Sequence, residues 1–500
     1  MNGPVQIPGI KTATLVWVAL LAGLVSPIWR VDRVPTQDGP AHVYNAVVIR
    51  EFGTTGTDYD CVFAFRDGPL PNWTSHAVLV GLMSIVDPVT AEKLLVTLVV
   101  VAMALAVRFF LASYGAGGFA CASMALAFLY PRFLFMGFYN FGLGIAGVFA
   151  IWGWVASTPQ WRARNRTGLA VAFVLLFFTH LVALLFAIAA ALWVSTTARK
   201  NRLRNTIQVG LSTIPALGLV AAYECHVKHD FTAALRYDPV STLVDRIFDL
   251  AECVHQELFG PIDDANASLG IAVAVGIELL VLLSVWDYLR GRPGNAAEQP
   301  PSRWPLVVGF AVSLCCLVLI PDSLGTRGGE VRTRFAIFPP VLLLACCRVP
   351  DSSFWRTVSG WGATGLVVAT LVLVTQTFQS ASREVSEFTS GIDAVPPGRI
   401  LFVIREAPKG RPFDPIEHAP NWYGTAWHAV NLDNYEAATT HFPLVFRDGW
   451  TRGNGNFVTY ARRDEVDTIL VWSSDLSGIP VPDQFRATYS CGRLHLFCRK

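Results

Sequence analysis

A carboxylate stands at position 38, in Pro35-Thr36-Gln37-Asp38-Gly39-Pro40-Ala41-His42, directly after the first apolar run of the chain. There Asp38 can take a proton from a hydroxyl arriving at the membrane surface, which is general-base chemistry. An acid beside a lipid phase is costly unless it has a task. The plainer reading is a solvated carboxylate, or an N-cap for a helix opening at Pro40. His42 and His76 lie in the same loop and read as polar residues at the interface or as substrate contacts. A second set of groups is cationic. Arg327, Arg332 and Arg334 fall in Gly325-Thr326-Arg327-Gly328-Gly329-Glu330-Val331-Arg332-Thr333-Arg334-Phe335. Guanidinium forks fit phosphate oxygens; the same run also suits anchorage to lipid headgroups. Arg132 and His180 are further candidates for substrate binding, although His180 equally fits a packed core position. Asp263-Asp264 is a weak signal for a cation. There is no Walker loop, no Gly-x-Gly-x-x-Gly after a strand and no Cys/His spacing suited to zinc. No cofactor is therefore expected, and a divalent metal has no support in the spacing.

The elements that must position these groups are largely membrane helices. The chain has 500 residues, 53% of them hydrophobic and 15% charged. Soluble domains carry about 25% charge, so the class is a polytopic membrane protein. The formal net charge of +2 gives no reason to expect nucleic acid. Spans are expected near 13–29, 90–110, 116–131, 138–157, 166–179, 181–196, 206–223, 269–287, 303–320, 333–346 and 357–378. That makes about eleven, at roughly 17–25 residues each. The run 166–196 is too long for one crossing, at about 46 Å. Arg162, Arg164 and Arg166 precede it, and Arg199, Lys200, Arg202 and Arg204 follow it. The positive-inside rule places both flanks in the cytoplasm, so two short helices bent at Thr179-His180 are expected. Arg290, Arg292, Arg303, Arg348, Arg356 and Lys11 complete an assignment with the N-terminus inside and the C-terminus outside. The 13–29 run reads as a retained helix rather than a cleaved signal.

Residues 1–378 form the expected membrane domain, with a first outer loop over 30–89. Within that loop 39–51 and 77–86 are too short or too polar to span and are expected to lie along the interface. Cys61-Val62-Phe63-Ala64-Phe65 reads as a short strand. From 379 to 500 a small α/β domain is expected outside the membrane, with strands around 398–404, 468–472, 487–491 and 494–498. Its Trp422, Tyr423, Trp427 and His428 suit either sugar stacking or an ordinary core. Cys225 with Cys253, and Cys491 with Cys498, are candidate disulfides in an oxidising compartment. Tyr139-Asn140 reads as a helix start. Asn72-Trp73-Thr74 matches a glycosylation acceptor only formally.

One span, then Asp38 at the start of the first outer loop, then two interfacial helices with a Pro-x-x-x-Trp-like element (Pro69 to Trp73), resembles the GT-C superfamily of membrane glycosyltransferases. The short helices and the outer C-terminal domain extend the likeness over nearly the whole chain. Well-known members carry Asp-Glu where this chain has Asp38-Gly39. The resemblance implies an inverting transferase in a bacterial cytoplasmic membrane, taking sugar from a polyprenyl-phosphate carrier. Asp38 would be the base, and His42, His76, Arg132, His180, Arg327, Arg332 and Arg334 would bind substrate. The acceptor would be a glycan, lipid or protein. The contrasting expectations are a transporter or flippase of a lipid-linked or polar solute, and an inactive scaffold of GT-C shape.

Overall fold

The structure is a computed structural model and describes residues 12–158, 161–197, 201–226, 243–262, 266–289, 302–323, 329–349, 352–406 and 411–500. Lys11, Arg199, Lys200, Asp263, Asp264, Arg290, Arg292 and Arg327 lie outside the described residues. Among the described residues, six helices are long and apolar enough to cross a membrane: Thr12–Trp29, Pro88–Ser113, Tyr139–Ser157, Arg202–His226, Ser268–Trp286 and Ser353–Ala394. Those six cover expected spans; the count of eleven is not reached by length. Ala163–Thr179, Leu181–Thr196 and Trp304–Leu319 are helices of 17, 16 and 16 residues. The expected span 116–131 is instead a six-residue helix, Phe119–Met124, followed by a 3-10 turn, Ala125–Phe128. Every side chain from Ala120 to Tyr130 is buried. Irregular backbone at this depth is tolerated where protein rather than lipid surrounds it. The expected span 333–346 shortens likewise to Phe338–Cys346, with a proline fixing its start.

The bend at 179–180 is present. His180 breaks the helix with φ −165° and ψ 121°. The loop after the first helix seats on this bend: Trp73 N–H donates to the Phe178 carbonyl at 2.8 Å, and the Thr74 and Thr179 hydroxyls meet at 2.9 Å.

The last membrane helix does not stop at 378. It runs unbroken over Ser353–Thr389, 37 residues, or about 55 Å. No glycine follows Gly365 in it and no proline interrupts it. Its far end carries the C-terminal region. Among the described residues there are seven strands: β1 (Phe63–Phe65), β2 (Ile400–Arg405), β3 (Val430–Asn431), β4 (Leu444–Phe446), β5 (Thr468–Trp472), β6 (Phe485–Cys491) and β7 (Leu494–Arg499). A mixed sheet has the order β3-β2-β5-β7-β6. β2 pairs in parallel with β3 and β5, while β5–β7 and β7–β6 are antiparallel. All five residues of β5 are buried, which is why the central strand reads as an apolar run. Gly492, at φ 54°, turns the β6–β7 hairpin, and a Cβ there would meet the Glu387 carboxylate at 2.2 Å. That carboxylate accepts from the Arg493 N–H at 2.9 Å, pinning the hairpin to the long helix.

The 39–51 stretch of the first loop is packed inside protein over most of its length. In Gly39–Glu51 every residue from Gly39 to Val48 is buried. Tyr44, Val48, Tyr59, Val62 and Phe63 share one core with Phe402, Leu432 and Ile469 of the C-terminal region. The expected 61–65 strand is half helix, since Tyr59–Val62 is helical, and β1 pairs antiparallel with β4. The helix is thus sandwiched between the membrane helices and the C-terminal sheet. Apolar residues on all its sides, rather than one amphipathic stripe, fit that position.

All ten cysteines are free thiols. Cys491 pairs with Leu494 and Cys498 with Arg486, at opposite ends of the hairpin, so the register keeps them apart. Cys225 and Cys253 also remain unbridged. Trp422 and Tyr423 are core residues, and Trp427 donates to the Ile392 carbonyl at 2.8 Å. Asn72, at φ 61°, is buried and unavailable for modification.

Candidate functional site

Asp38 is held by main chain on both sides. The Gln37 and Asp38 N–H groups donate to the Phe135 and Met136 carbonyls at 2.9 and 3.1 Å. Gly137, at φ 79°, permits this approach, because a Cβ there would lie 2.7 Å from the Gly39 nitrogen. Asp38 occupies the N-cap position of the 39–51 helix, yet its side chain does not cap it. The carboxylate instead accepts from the Tyr435 hydroxyl at 2.9 Å. Its other oxygen lies 3.6 Å from His418 Nε2, beyond hydrogen-bond length. The residue is 7% exposed. Burial, with smaller contributions from Glu436 and Glu417, pushes its carboxyl up to about 7, against the charge of His42 and the Tyr435 bond. His418, stacked on Tyr435 at 4.3 Å, is held well below its usual range by burial and by Arg452 and Arg405. Asp38 is therefore a carboxyl that exchanges a proton near neutrality, beside a neutral imidazole and a phenol.

The position after Asp38 has no room for an acid. A Cβ on Gly39 would meet Glu92 Oε1 at 2.1 Å, Thr36 Oγ1 at 2.2 Å and the Tyr139 hydroxyl at 2.4 Å. Tyr139 donates to Glu92 at 2.8 Å and shares a 2.7 Å bond with Thr36. A second carboxylate thus reaches the neighbourhood of Asp38 from the Pro88–Ser113 helix rather than from the next residue. Asn140 also serves this loop, not its own helix start: its Oδ1 accepts from Ser75 N–H at 2.7 Å and its Nδ2 donates to the Asn72 carbonyl at 3.0 Å.

His42 and His76 converge on Glu436. His42 Nδ1 lies 2.6 Å from Oε1, and His76 Nε2 lies 2.8 Å from Oε2. His42 is 3% exposed and the other two are 0%. Burial alone would raise the Glu436 carboxyl, but the neighbouring imidazoles of His76 and His42 bring it down to about 2. Burial would lower His42, and Glu436 overrides it in the opposite direction. Both histidines lie within the junction, so direct contact with a bulky substrate is closed to them as the side chains stand. The same junction carries a reciprocal amide pair, Asn45 with Asn434 at 3.1 and 2.9 Å. Tyr44 adds a hydroxyl that donates to the Ala429 carbonyl at 3.1 Å and accepts from Asn431 N–H at 3.0 Å.

The arginines divide. Arg132 is engaged by Glu330 at 2.9 Å and Glu257 at 3.0 Å, and Arg332 by Asp322 at 2.7 Å. Neither offers a free guanidinium for a cradle. Arg334 is different. It donates to His180 Nε2 at 2.9 Å and to the Gly329 carbonyl at 3.2 Å. Its guanidinium sits 4.9 and 5.3 Å from the ring centres of Phe138 and Phe141. Among the described residues no acid lies within ion-pairing distance of it, although Asp38 is close enough for its charge to act on Arg334. His441, half-buried nearby, is pushed down to about 4 by desolvation and by Arg334. Beside this corner an open groove of about 480 Å³ runs between helices, lined by Phe109, Leu143, Ile151, Trp154, Leu175 and, at one end, Thr179.

Asp38, Arg334 and His180 are therefore brought to one corner, with His42 and His76 behind it; Arg132 and Arg332 are taken by acids. The sequence reading missed Glu92, His418, Tyr435 and Glu436. Glu92 left a signal, an acid near the start of an apolar run. The polar stretch Asn431-Leu432-Asp433-Asn434-Tyr435-Glu436 was visible too, but nothing local linked it to a loop nearly 400 positions earlier. No protein-family model matches the chain, and no curated protein or solved structure matches it.

Proposed function

We propose that this chain is a membrane-embedded glycosyltransferase that moves a sugar from a polyprenyl-phosphate carrier to a hydroxyl acceptor, with Asp38 as general base. The observation that carries the reading is Asp38 itself: a buried carboxylate, uncommitted to helix capping, bonded by Tyr435 and within electrostatic reach of Arg334, which has no ion-pair partner among the described residues. The acceptor hydroxyl gives its proton to Asp38 as its oxygen bonds to the anomeric carbon. The bond from that carbon to the phosphate oxygen breaks, and the leaving lipid phosphate needs a cation rather than an acid. Among the described residues, Arg334 is a cation placed for it. The apolar groove ending at Thr179, one residue from the His180 that Arg334 contacts, suits the prenyl chain. A site on the outer side of a bacterial cytoplasmic membrane, with the C-terminal region outside, accords with the arginine bias of the intervening loops.

A transporter would concentrate its polar groups at mid-membrane on broken helices. Here they gather where the helices meet the C-terminal sheet. An inactive scaffold would leave Asp38 facing solvent with no cavity nearby; its 7% exposure speaks against the first of these.

The test compares the purified protein with its Asp38→Asn variant on a panel of radiolabelled polyprenyl-phosphate sugars. Wild-type release or transfer of sugar that falls roughly 10²–10⁴-fold in the variant, with lipid binding retained, is the expected result. Equal turnover by both removes Asp38 from the chemistry. Lipid binding without turnover by either moves the weight to transport or scaffolding.

A further inference from the structure

His42, His76 and Glu436 come from three separate segments, yet their donor atoms all lie within 4.8 Å of one another and all three side chains are buried. The far side of each ring settles what faces the carboxylate. His42 Nε2 contacts the Gly137 carbonyl at 3.1 Å, and His76 Nδ1 contacts the Asn72 carbonyl at 3.2 Å. A carbonyl only accepts, so each ring places its N–H there. In a neutral imidazole the opposite nitrogen, His42 Nδ1 or His76 Nε2, is then a bare lone pair. Both lone pairs point at Glu436, which when ionised is itself an acceptor only. The His76 contact has hydrogen-bond geometry, at 2.8 Å; the His42 contact is closer, at 2.6 Å, and lacks it. His42 Nδ1 and Glu436 Oε1 are both buried without a hydrogen-bond partner. Acceptors crowded together in a dry site require something positive between them. That is either a second proton on each ring or a cation.

We propose that His42, His76 and Glu436 hold a divalent transition-metal ion, zinc by its donor set, that ties the first loop to the C-terminal region. Two imidazoles and one carboxylate are a known zinc donor set that leaves a fourth position open. Imidazoles that donate their far N–H to a backbone carbonyl are the usual second layer of such a site, fixing tautomer and ring direction. Donors about a tetrahedral zinc at roughly 2.0–2.1 Å sit about 3.3 Å apart. The present 2.6 and 2.8 Å separations would open by well under 1 Å. Such an ion would be present whether or not the chain transfers sugar, and its readouts do not involve turnover.

The experiment uses the full chain in detergent, with any affinity tag removed, after chelator stripping and reloading with zinc or cobalt alone. About one zinc per chain by mass-spectrometric elemental analysis is expected. A visible cobalt band of tetrahedral intensity that zinc displaces is expected, together with a melting temperature that falls on stripping and recovers on zinc. Glu436→Gln and His76→Gln should each lower zinc affinity at least tenfold. If those variants do not fold, the wild-type cobalt spectrum and the recovery of melting temperature decide alone. A folded wild-type protein that retains no zinc or cobalt above the buffer blank overturns the proposal and leaves a doubly protonated pair of imidazoles around Glu436.

Discussion

Two polar clusters, both away from the long apolar helices, are built on opposite logic. The junction cluster of His42, His76, Glu436, Asn45 and Asn434 is closed to solvent and joins residues nearly 400 positions apart. The cluster of Arg132, Glu257 and Glu330 is more open only on its Glu330 side, and full charges neutralise one another there. The first depends on soft donors with fixed hydrogen-bond directions; the second on strong, adaptable forks. A buried set is intolerant of losing any member, because the groups left behind have no water to turn to. A partly exposed set degrades gently. Residue type alone does not show which charges are already engaged. The arginines looked like the functional set, yet Arg132 and Arg332 are already satisfied.

The sharpest break of this contrast is Glu436→Ala. It strands two buried imidazoles and should cost about 3–5 kcal/mol, seen as a large drop in melting temperature and as protease cleavage within 30–87. Survival of the fold at wild-type stability would put the junction in the same class as the Arg132 cluster. Next is a pair of substitutions at the arginines. Arg334→Leu should weaken binding of a polyprenyl-phosphate sugar by about 1.5–3 kcal/mol, the range for a charged hydrogen bond; Arg132→Leu should leave that affinity near wild type. Equal losses would erase the division between free and engaged arginines.

Gly39→Ala follows. Its methyl has nowhere to go among Glu92, Thr36 and Tyr139, so overpacking of about 1–3 kcal/mol is expected, measurable by thermal melting. An unchanged melt would mean the Glu92 cluster shifts freely. The smallest effect concerns pH. Burial pushes the Glu257 carboxyl up to about 7, against Arg132, from about 4.3 in an unfolded chain. The folded form then binds the proton more tightly than the unfolded one between those values. The stability that Glu257 contributes is thus greatest at low pH and is lost as pH rises through that window. Glu330 has the opposite sign, since Arg132 outweighs its burial and holds it below the usual range; its contribution is lost as pH falls. Glu257→Gln should remove the loss on the alkaline side and raise stability above pH 7 by about 1 kcal/mol, read from melts across pH. A loss instead would make the Glu257 charge a net asset at this corner.

Much of the architecture was legible because its signals are local. The apolar runs at 13–29, 90–110, 138–157, 206–223 and 269–287 became long helices, and the bend at Thr179-His180 followed from length against bilayer thickness. The strands at 400–405 and 468–472 and the terminal hairpin followed from apolar patterning and a turn at Gly492. The 116–131 run misled, since hydropathy records that a segment is dry and not whether lipid or protein keeps it dry. The 39–51 helix misled for the same reason, being buried on every side instead of lying at an interface.

By itself, the sequence determined that this chain lives in a membrane, where its long helices and terminal strands lie, and that Asp38 is an acid in an unusual place. Only the tertiary structure decided which groups surround it. Tyr435 and Glu436 reach the first loop because β1 pairs with β4 and Tyr44 and Val48 enter the C-terminal core. Arg132 is engaged by Glu257 and Glu330, while Arg334 has no ion-pair partner among the described residues. Hydropathy and propensity act over a few residues and can be read along a chain. The partner of a buried charge is chosen by the folded packing of distant segments.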